Sequence, residues 1–187
     1  MRIDARSSLA DVAVVVGDAL RRAGIRAVLT GGACANLYSG GAYQSMDADF
    51  ILSGSPALED LNRALSTLGF RRRGDRYVHT RVPFFVEFPR GPLGIGQDVQ
   101  IRAVWRVRRG AKTLALSATD SCRDRLAAYY HWRDRQSLAA AVAIALRNRV
   151  TLRKIREWSR VEGHLESYQA FLVEVERLRT LRRRGGR

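Results

Sequence analysis

The sequence predicts an α/β (α+β) fold whose first two thirds mix strands with helices and whose last third is helical. Short apolar segments with strand-like alternation lie between segments of helical spacing up to about residue 117, and only helical spacing follows. A length of 187 residues with 46% hydrophobic content suits one globular domain, or a compact core with a small helical lobe. We therefore expect an α/β core over 1–117, a C-terminal helical lobe over 118–181 and a disordered basic tail over 182–187.

The elements of the core are predicted from local patterns. The first helix carries apolar residues at helical spacing from Leu9 to Leu20 and ends before Gly24. In chain order we then expect a strand over 26–30, a short helix over 33–38, a strand over 46–52, a helix over 56–68, a basic hairpin over 69–80 and a strand over 84–88.

Weaker patterns connect the core to the helical lobe. The stretch 91–111 indicates loops with short strands, and 112–116 is the last strand candidate. Helices are expected over 120–132, 134–147, 152–161 and 165–181. No low-complexity linker separates them from the core, so the boundary near 117 is predicted as a change of layer.

The charge balance predicts attraction to polyanions. The chain has 33 basic and 18 acidic residues, a net charge of +15, and only two lysines, Lys112 and Lys154. Nucleic acid is therefore a plausible partner, although part of the arginine content can reflect genomic composition. The arginines cluster at 71–76, 102–109 and 182–187; for each cluster a solvated surface remains the alternative.

Several protein classes are excluded or disfavoured. Cys34 and Cys122 define neither a disulfide framework nor a metal site. No apolar run reaches the roughly 20 residues of a membrane span, and no signal-peptide pattern opens the chain. We expect a cytoplasmic protein without membrane contact, and the excess positive charge favours a monomer through self-repulsion.

Asp47 and Asp49 form the pair that carries the strongest functional signal. On a strand these residues share a face, with their Cα atoms roughly 6.5–7 Å apart. Carboxylates at this spacing can hold one or two divalent cations, which would stabilise the attacking and leaving oxygens of an in-line displacement. Taken alone, the pair is weak evidence and is more typical of an exposed strand face.

Two further features lie at suggestive positions. Gly31 and Gly32 follow an apolar strand and open a helix, where backbone N–H groups can approach a phosphate; a tight strand–helix turn is the alternative. Glu87 lies within Phe-Phe-Val-Glu-Phe, where a carboxylate is costly to bury without a cation or partner. A solvent-facing edge position is the alternative for Glu87.

Together these features resemble the nucleotidyltransferase superfamily, and more narrowly the AbiEii-type nucleotidyltransferases of bacterial toxin–antitoxin and phage-defence systems. The matching stretches are Leu-Thr-Gly-Gly-Ala at 29–33, Tyr-Gln-Ser-Met-Asp-Ala-Asp-Phe at 43–50, Val-Glu-Phe-Pro-Arg-Gly-Pro-Leu at 86–93, and the helical segment 122–138. The resemblance spans about residues 25–145 and implies a nucleotidyltransferase-like mixed β-sheet with flanking helices.

The resemblance implies a metal site made of three carboxylates. Asp47 and Asp49 would bind Mg²⁺, as two ions, and through it the nucleoside triphosphate (NTP). Glu87 would be the third carboxylate, completing the metal site and helping to deprotonate the acceptor hydroxyl.

The same resemblance implies nucleotide contacts and shows departures from the family. Gly31, Gly32 and Ser45 would contact the triphosphate. The helix that begins near Asp120 would close the site from the helical lobe, with Arg123 as a catalytic residue that faces the triphosphate. Arg123 stands where the family often has lysine; arginine keeps the charge but differs in reach and geometry. Two neighbours of the acidic pair also depart from the usual pattern, Met46 and Tyr43.

The implied activity is Mg²⁺-dependent transfer of a nucleoside monophosphate from an NTP to an acceptor hydroxyl, with release of pyrophosphate. The basic surface favours RNA as acceptor, and the family implies tRNA 3′ ends, a toxin role and a cognate antitoxin. A protein hydroxyl is an alternative acceptor, whereas a cationic small molecule is disfavoured because the chain has few acidic residues outside the proposed site. A non-catalytic basic RNA-binding module is the third alternative.

The remaining residues of the helical stretch that we considered are expected to stabilise the fold. We interpret four of them as ion pairs across a helix junction: Asp124, Arg125, Asp134 and Arg135. Cys122 is interpreted as a small buried residue, because nothing near it marks a catalytic thiolate other than basic residues.

Overall fold

The computed structural model describes residues 3–185 and shows a mixed α/β architecture with a helical C-terminal region. The helices described are α1 (Leu9–Arg22), α2 (Gly31–Ser39), α3 (Leu58–Ser66), α4 (Ala118–Trp132), α5 (Arg135–Arg147), α6 (Leu152–Val161) and α7 (Leu165–Gly185). The strands are β1 (Ala27–Leu29), β2 (Asp47–Leu52), β3 (Phe70–Arg73), β4 (Arg76–His79), β5 (Phe85–Glu87), β6 (Val104–Arg108) and β7 (Ala111–Ala115).

The strands form one mixed sheet in the order β3-β4-β5-β2-β1-β7-β6. The pairs β2–β5 and β1–β7 are parallel, and the other neighbouring pairs are antiparallel. Because β2 lies at the centre with β5 parallel beside it, residues far apart in sequence meet in register. The predicted fold class is therefore confirmed.

One face of the sheet is sealed by α1 and α3. Ala48 and Phe50 are fully buried on this face, and the tyrosine hydroxyl of Tyr77 donates to the Asn62 side chain of α3 at 2.7 Å. Helix α1 lies so close that a Cβ on Gly17 would meet Thr113 of β7. Since strand side chains alternate between faces, the residues that flank Ala48 lie on the opposite, open face.

The helical region shares its hydrophobic core with the sheet. Helix α2 packs against α4 and α5, and its Tyr38 hydroxyl donates to the carbonyl oxygen of Leu116 at 2.8 Å. Asn148, which follows α5, donates to the carbonyl oxygen of Tyr38 at 2.8 Å. A single cluster of buried apolar residues includes members from α1 to α7. The boundary near 117 therefore coincides with the start of α4 but does not separate two cores.

The stretch 91–111, predicted as loops with short strands, contains the edge strand β6, whose bounds the sequence did not give because Trp105 and Val107 are both exposed at the sheet edge. One expectation about the C-terminus needs correction. Residues 182–185, expected in a disordered tail, continue α7. Arginine is a good helix former, and positive charge is favourable at a helix C-terminus. The last two positions of that tail, 186 and 187, lie outside the described residues.

Within the described part of the chain, no helix combines the length and the hydropathy required to cross a membrane.

Candidate metal centre

Three carboxylates converge on the open face of the sheet. Asp47 and Asp49 lie on β2, and the parallel pairing of β2 with β5 places Glu87 directly opposite Asp49. One carboxylate oxygen from each residue lies within 4.8 Å of the others, and all three residues are partly buried. The sequence predicted each residue, and the strand register, which no local pattern reveals, brings Glu87 to the pair.

The electrostatics of this cluster suit a cation. Burial, followed by the negative charges of Asp47 and Glu87, raises the pKa of Asp49 to about 7, although Arg125 opposes the shift. Like charges at this distance repel unless a proton or a cation neutralises them. An all-oxygen donor set of carboxylates is the kind that Mg²⁺ prefers. The residues present therefore fit a divalent cation, and Asp47, Asp49 and Glu87 would hold it.

Ser45 is placed to orient the first carboxylate. Its hydroxyl donates to Oδ1 of Asp47. The segment that carries Ser45 is anchored to α2, because the side-chain amide of Asn36 donates to the carbonyl oxygen of Tyr43 at 2.6 Å. The expectation that Ser45 lies at the site is supported by this geometry.

Gly31 and Gly32 allow the N-terminus of α2 to approach the carboxylates. Gly31 has a φ of +61°, and a Cβ there would collide with Oδ2 of Asp49. A Cβ on Gly32 would lie 2.6 Å from the Cβ of Ser45. The Thr30 side chain makes no capping hydrogen bond, so the first N–H groups of α2 receive no side-chain cap from it. Positive charge from the helix dipole thus lies beside the acidic cluster.

Arg123 does not belong to this centre, which corrects the sequence expectation. Its side chain is 1% exposed, and its guanidinium donates to Asp98 at 2.6 Å and to Asp120 at 2.8 Å. Lys154 also pairs with Asp120, at 2.8 Å. Both terminal nitrogens of Arg123 are therefore engaged in a buried ion-pair network that ties α4 to α6 and to the loop before β6.

Arg125 is the basic residue of α4 that faces the centre, and sequence reasoning missed it. Its positive charge lowers the pKa of Asp49, and its guanidinium lies 5.9 Å from the ring centroid of Tyr43. It also pairs with Asp124 at 2.8 Å. Residues 123 and 125 point in directions about 200° apart on a helix, so only one of them can face the carboxylates. That periodicity was the signal available in the sequence.

The ion pairs predicted across the α4–α5 junction are not formed among the described residues. Asp124 pairs with its neighbour Arg125, whereas Asp134 caps α5 by accepting from the backbone N–H of Gln136 at 2.9 Å. Cys122 is buried, as predicted, and burial raises the pKa of its thiol. These residues have structural roles, apart from the contribution of Asp124 and Arg125 to the charge around Asp49.

The centre therefore combines carboxylates, a serine donor, a glycine-bearing helix N-terminus and one partly buried arginine on the open side of the sheet. Its carboxylates come from β2 and β5, its serine from the segment before β2, its backbone N–H groups from α2 and its arginine from α4. Comparison with models of known protein families, and with curated protein sequences, finds no match for this chain.

Proposed function

We propose that the protein is a Mg²⁺-dependent nucleotidyltransferase that moves a nucleoside monophosphate from an NTP to an acceptor hydroxyl. The observation that carries this proposal is the meeting of Asp47, Asp49 and Glu87, whose carboxylate oxygens lie within 4.8 Å of one another. The glycine-bearing start of α2 beside them supplies a site for the phosphates of the donor.

Each residue of the centre has a part in this reaction. Asp47, Asp49 and Glu87 would hold the cation, and the Ser45 hydroxyl keeps the Asp47 carboxylate in place. Mg²⁺, when bound, would neutralise the triphosphate and stabilise charge on the attacking and leaving oxygens. The first N–H groups of α2, at Gly31 and Gly32, donate to phosphate oxygens because no residue within the helix uses them.

The transfer itself is an in-line displacement at the α-phosphorus. Glu87 accepts the proton of the acceptor hydroxyl, whose oxygen forms a bond to phosphorus as the bond to pyrophosphate breaks. Catalysis of this kind depends on positioning and charge stabilisation, since the protein forms no covalent bond with the donor.

RNA is the acceptor that we propose, because the net charge of +15 favours a polyanion. A tRNA 3′ end is the specific acceptor implied by the motif resemblance. The proposed role as a toxin with a cognate antitoxin rests on that resemblance alone.

The test is label transfer from each α-³²P-NTP in the presence of Mg²⁺, to total tRNA and separately to total protein. Wild type runs beside Asp47→Asn, which removes one ligand charge, and beside Asp60→Asn, which makes the same change on the exposed surface of α3. We expect label on tRNA with wild type and Asp60→Asn, and none with Asp47→Asn.

Each other outcome has a definite meaning. Equal transfer by Asp47→Asn would overturn the metal centre. Label on protein alone would replace the RNA acceptor with a protein hydroxyl. Absence of label in every lane, with RNA still bound, would favour a non-catalytic binding module.

A further inference from the structure

The register of the sheet extends the acidic centre into a row of arginines. Asp49 lies opposite Glu87, Glu87 lies opposite Arg76, and Arg76 lies opposite Arg73. Directly opposite residues of neighbouring strands share a face of the sheet. Two carboxylates and two arginines therefore line one continuous row across β2, β5, β4 and β3.

A second row runs parallel to the first on the same face. Asp47 lies opposite Phe85, Phe85 opposite Val78, and Val78 opposite Arg71. The guanidinium of Arg76 lies 4.8 Å from the ring centroid of Phe85, which shows that the two rows are in contact. We call the surface formed by Arg71, Arg73 and Arg76 the arginine face.

Arg72 lies on the other side of the same hairpin. It stands opposite Tyr77, whose ring is buried and whose hydroxyl donates to Asn62 of α3. The four-arginine cluster seen in the sequence is thus divided by the strand alternation. Arg71, Arg73 and Arg76 share the face of the carboxylates, and Arg72 belongs to the face covered by α3.

The charges of the arginine face are not neutralised within the protein. All three arginines are exposed, and none forms an ion pair with a carboxylate in the part of the chain that the structure describes. By contrast, Arg177 and Arg179 of α7 pair with glutamates of their own helix. The hairpin therefore presents uncompensated positive charge directly beside the candidate centre.

We propose that the arginine face binds the backbone of a single-stranded RNA and leads its end to Asp47, Asp49 and Glu87. The arginines supply contacts to phosphates, and the exposed guanidinium of Arg76, which lies over the partly buried Phe85 ring, offers a planar group on which a base can stack. The orientation of the RNA, with its terminal hydroxyl at the carboxylates, rests on the proposed nucleotidyltransferase function. The assignment of the arginine face as an RNA-binding surface does not depend on that function.

RNA fits this surface better than an acidic protein segment does. Any RNA strand offers regularly spaced phosphates for the arginines and a terminal hydroxyl for the carboxylates, whereas an acidic peptide offers both only where a serine, threonine or tyrosine adjoins its acidic residues. An open sheet face with aromatic and arginine side chains is also a common way of holding unstacked bases. Contacts to phosphates make such binding strongly dependent on salt.

The test compares two double variants that lose the same charge from opposite sides of the sheet. Arg71→Gln/Arg73→Gln removes two positive charges from the arginine face. Arg63→Gln/Arg72→Gln removes two from α3 and from the strand face that α3 covers. All four side chains are exposed, so both variants should keep the fold, which thermal unfolding would verify.

Binding of a short fluorescein-labelled single-stranded RNA is measured by anisotropy across a salt series, in EDTA and without NTP. Each lost phosphate contact reduces the magnitude of the negative slope of log K against log salt concentration by about 0.7. The arginine-face variant loses two such contacts, so its slope should be shallower by about 1.4. That loss corresponds to roughly 25-fold weaker binding at about 0.1 M salt. The control variant should keep a slope close to that of wild type.

Equal losses in the two variants would overturn the proposal, because binding would then follow net charge rather than one face. Binding of polyglutamate in place of RNA, lost with Arg71 and Arg73, would overturn it in favour of an acidic protein partner. Asp47→Asn separates this surface from the proposed activity, since that variant should bind the RNA and transfer nothing. If wild type binds through the arginine face but transfers no label, the surface stands and the nucleotidyltransferase proposal fails.

Discussion

At Asp49, the requirements of folding and of cation binding oppose each other. Its carboxylate is partly buried near two other acids, which raises its pKa to about 7 through burial and through the charges of Asp47 and Glu87. Without a cation, the ionised cluster destabilises the folded state. Sites built for ligands commonly carry such a cost in stability.

We therefore predict that Asp49→Asn stabilises the metal-free protein. The free energy of unfolding should rise by about 1 kcal/mol, or roughly 3 °C in Tm, since mutual repulsion of the carboxylates is relieved. Thermal unfolding in EDTA, at a pH above the raised pKa of Asp49, measures the effect. Adding Mg²⁺ should raise the Tm of wild type more than that of the variant, because a ligand stabilises only the state that binds it. A lower Tm of the variant in EDTA would contradict this account.

Two separate constraints act on Gly31. Its φ of +61° disfavours a side chain, and a Cβ would collide with Asp49. Gly74, in the β3–β4 turn, has a similar φ of +64° but no atom within 4 Å of a Cβ. Comparing Gly31 with Gly74 therefore separates the cost of the left-handed backbone from the cost of the steric clash with Asp49.

Gly74→Ala should cost about 1–2 kcal/mol of unfolding free energy, the strain of a left-handed alanine. Gly31→Ala should cost about 1–3 kcal/mol more, because the new methyl group must displace the Asp49 carboxylate. Urea unfolding measures both values. Equal costs would mean that α2 can move away from the carboxylates, and that the close approach is not required by the fold.

Helix α4 places two arginines that are close in the sequence in different environments. Arg123 joins Asp98 and Asp120 in a buried network, whereas Arg125 faces Tyr43 and the carboxylates. Removing one partner from a buried ion pair leaves an uncompensated charge. The two residues should therefore affect different measurements.

We predict that Arg123→Gln lowers the free energy of unfolding by about 3–5 kcal/mol. The transfer rate per folded molecule should stay near that of wild type. Arg125→Gln should instead reduce the transfer rate, since it removes positive charge beside the proposed triphosphate site. Urea unfolding and label transfer on both variants measure these effects. A stable but inactive Arg123→Gln would restore the original expectation that this residue binds the nucleotide.

The elements also show which features the sequence could predict. Strand β2 is evident because its alternation is strong and its centre is buried, and the four C-terminal helices are evident from their apolar spacing. The bounds of β6 are not evident within the stretch predicted as loops with short strands, since an edge strand with Trp105 and Val107 exposed lacks a clear buried face. The pairing of Glu87 with Asp49 depends on the non-local contact of β5 with β2, which no local pattern contains. The division of the hairpin arginines between two faces likewise needs the register.

For the whole molecule, the distribution of charge matters more than its sum. The net charge is +15, yet several arginines are neutralised locally, as on α7 and around Asp11. Arg71, Arg73 and Arg76, which form no ion pair among the described residues, lie on the same face of the sheet as the acidic centre. A basic surface beside a carboxylate cluster gives a polyanion a defined place to bind next to a cation site.

Because the hydrophobic core is continuous, we expect the α/β part, residues 1–117, to be unstable without the helices that follow it. The helices after residue 117 cover α2: α4 and α5 pack on it, and Asn148 donates to the carbonyl oxygen of Tyr38. Ala33 and Ala35 of α2 are fully buried in the whole chain. Without α4 and α5, the apolar surface of α2 that these helices cover would be exposed to water. Exposed apolar surface of this kind lowers stability by about 25 cal/mol per Å².

A chain ending after Ser117 should therefore not fold cooperatively. We expect no sigmoidal transition in urea and strong binding of the dye ANS, whereas the full chain should unfold in one transition because its core is continuous. Circular dichroism and ANS fluorescence on both chains measure this difference. A cooperative transition of the shortened chain would mean that the sheet with α1 and α3 is sufficient for folding. The helical region would then be an independent unit, and Arg125 would reach the carboxylates only through docking of that unit.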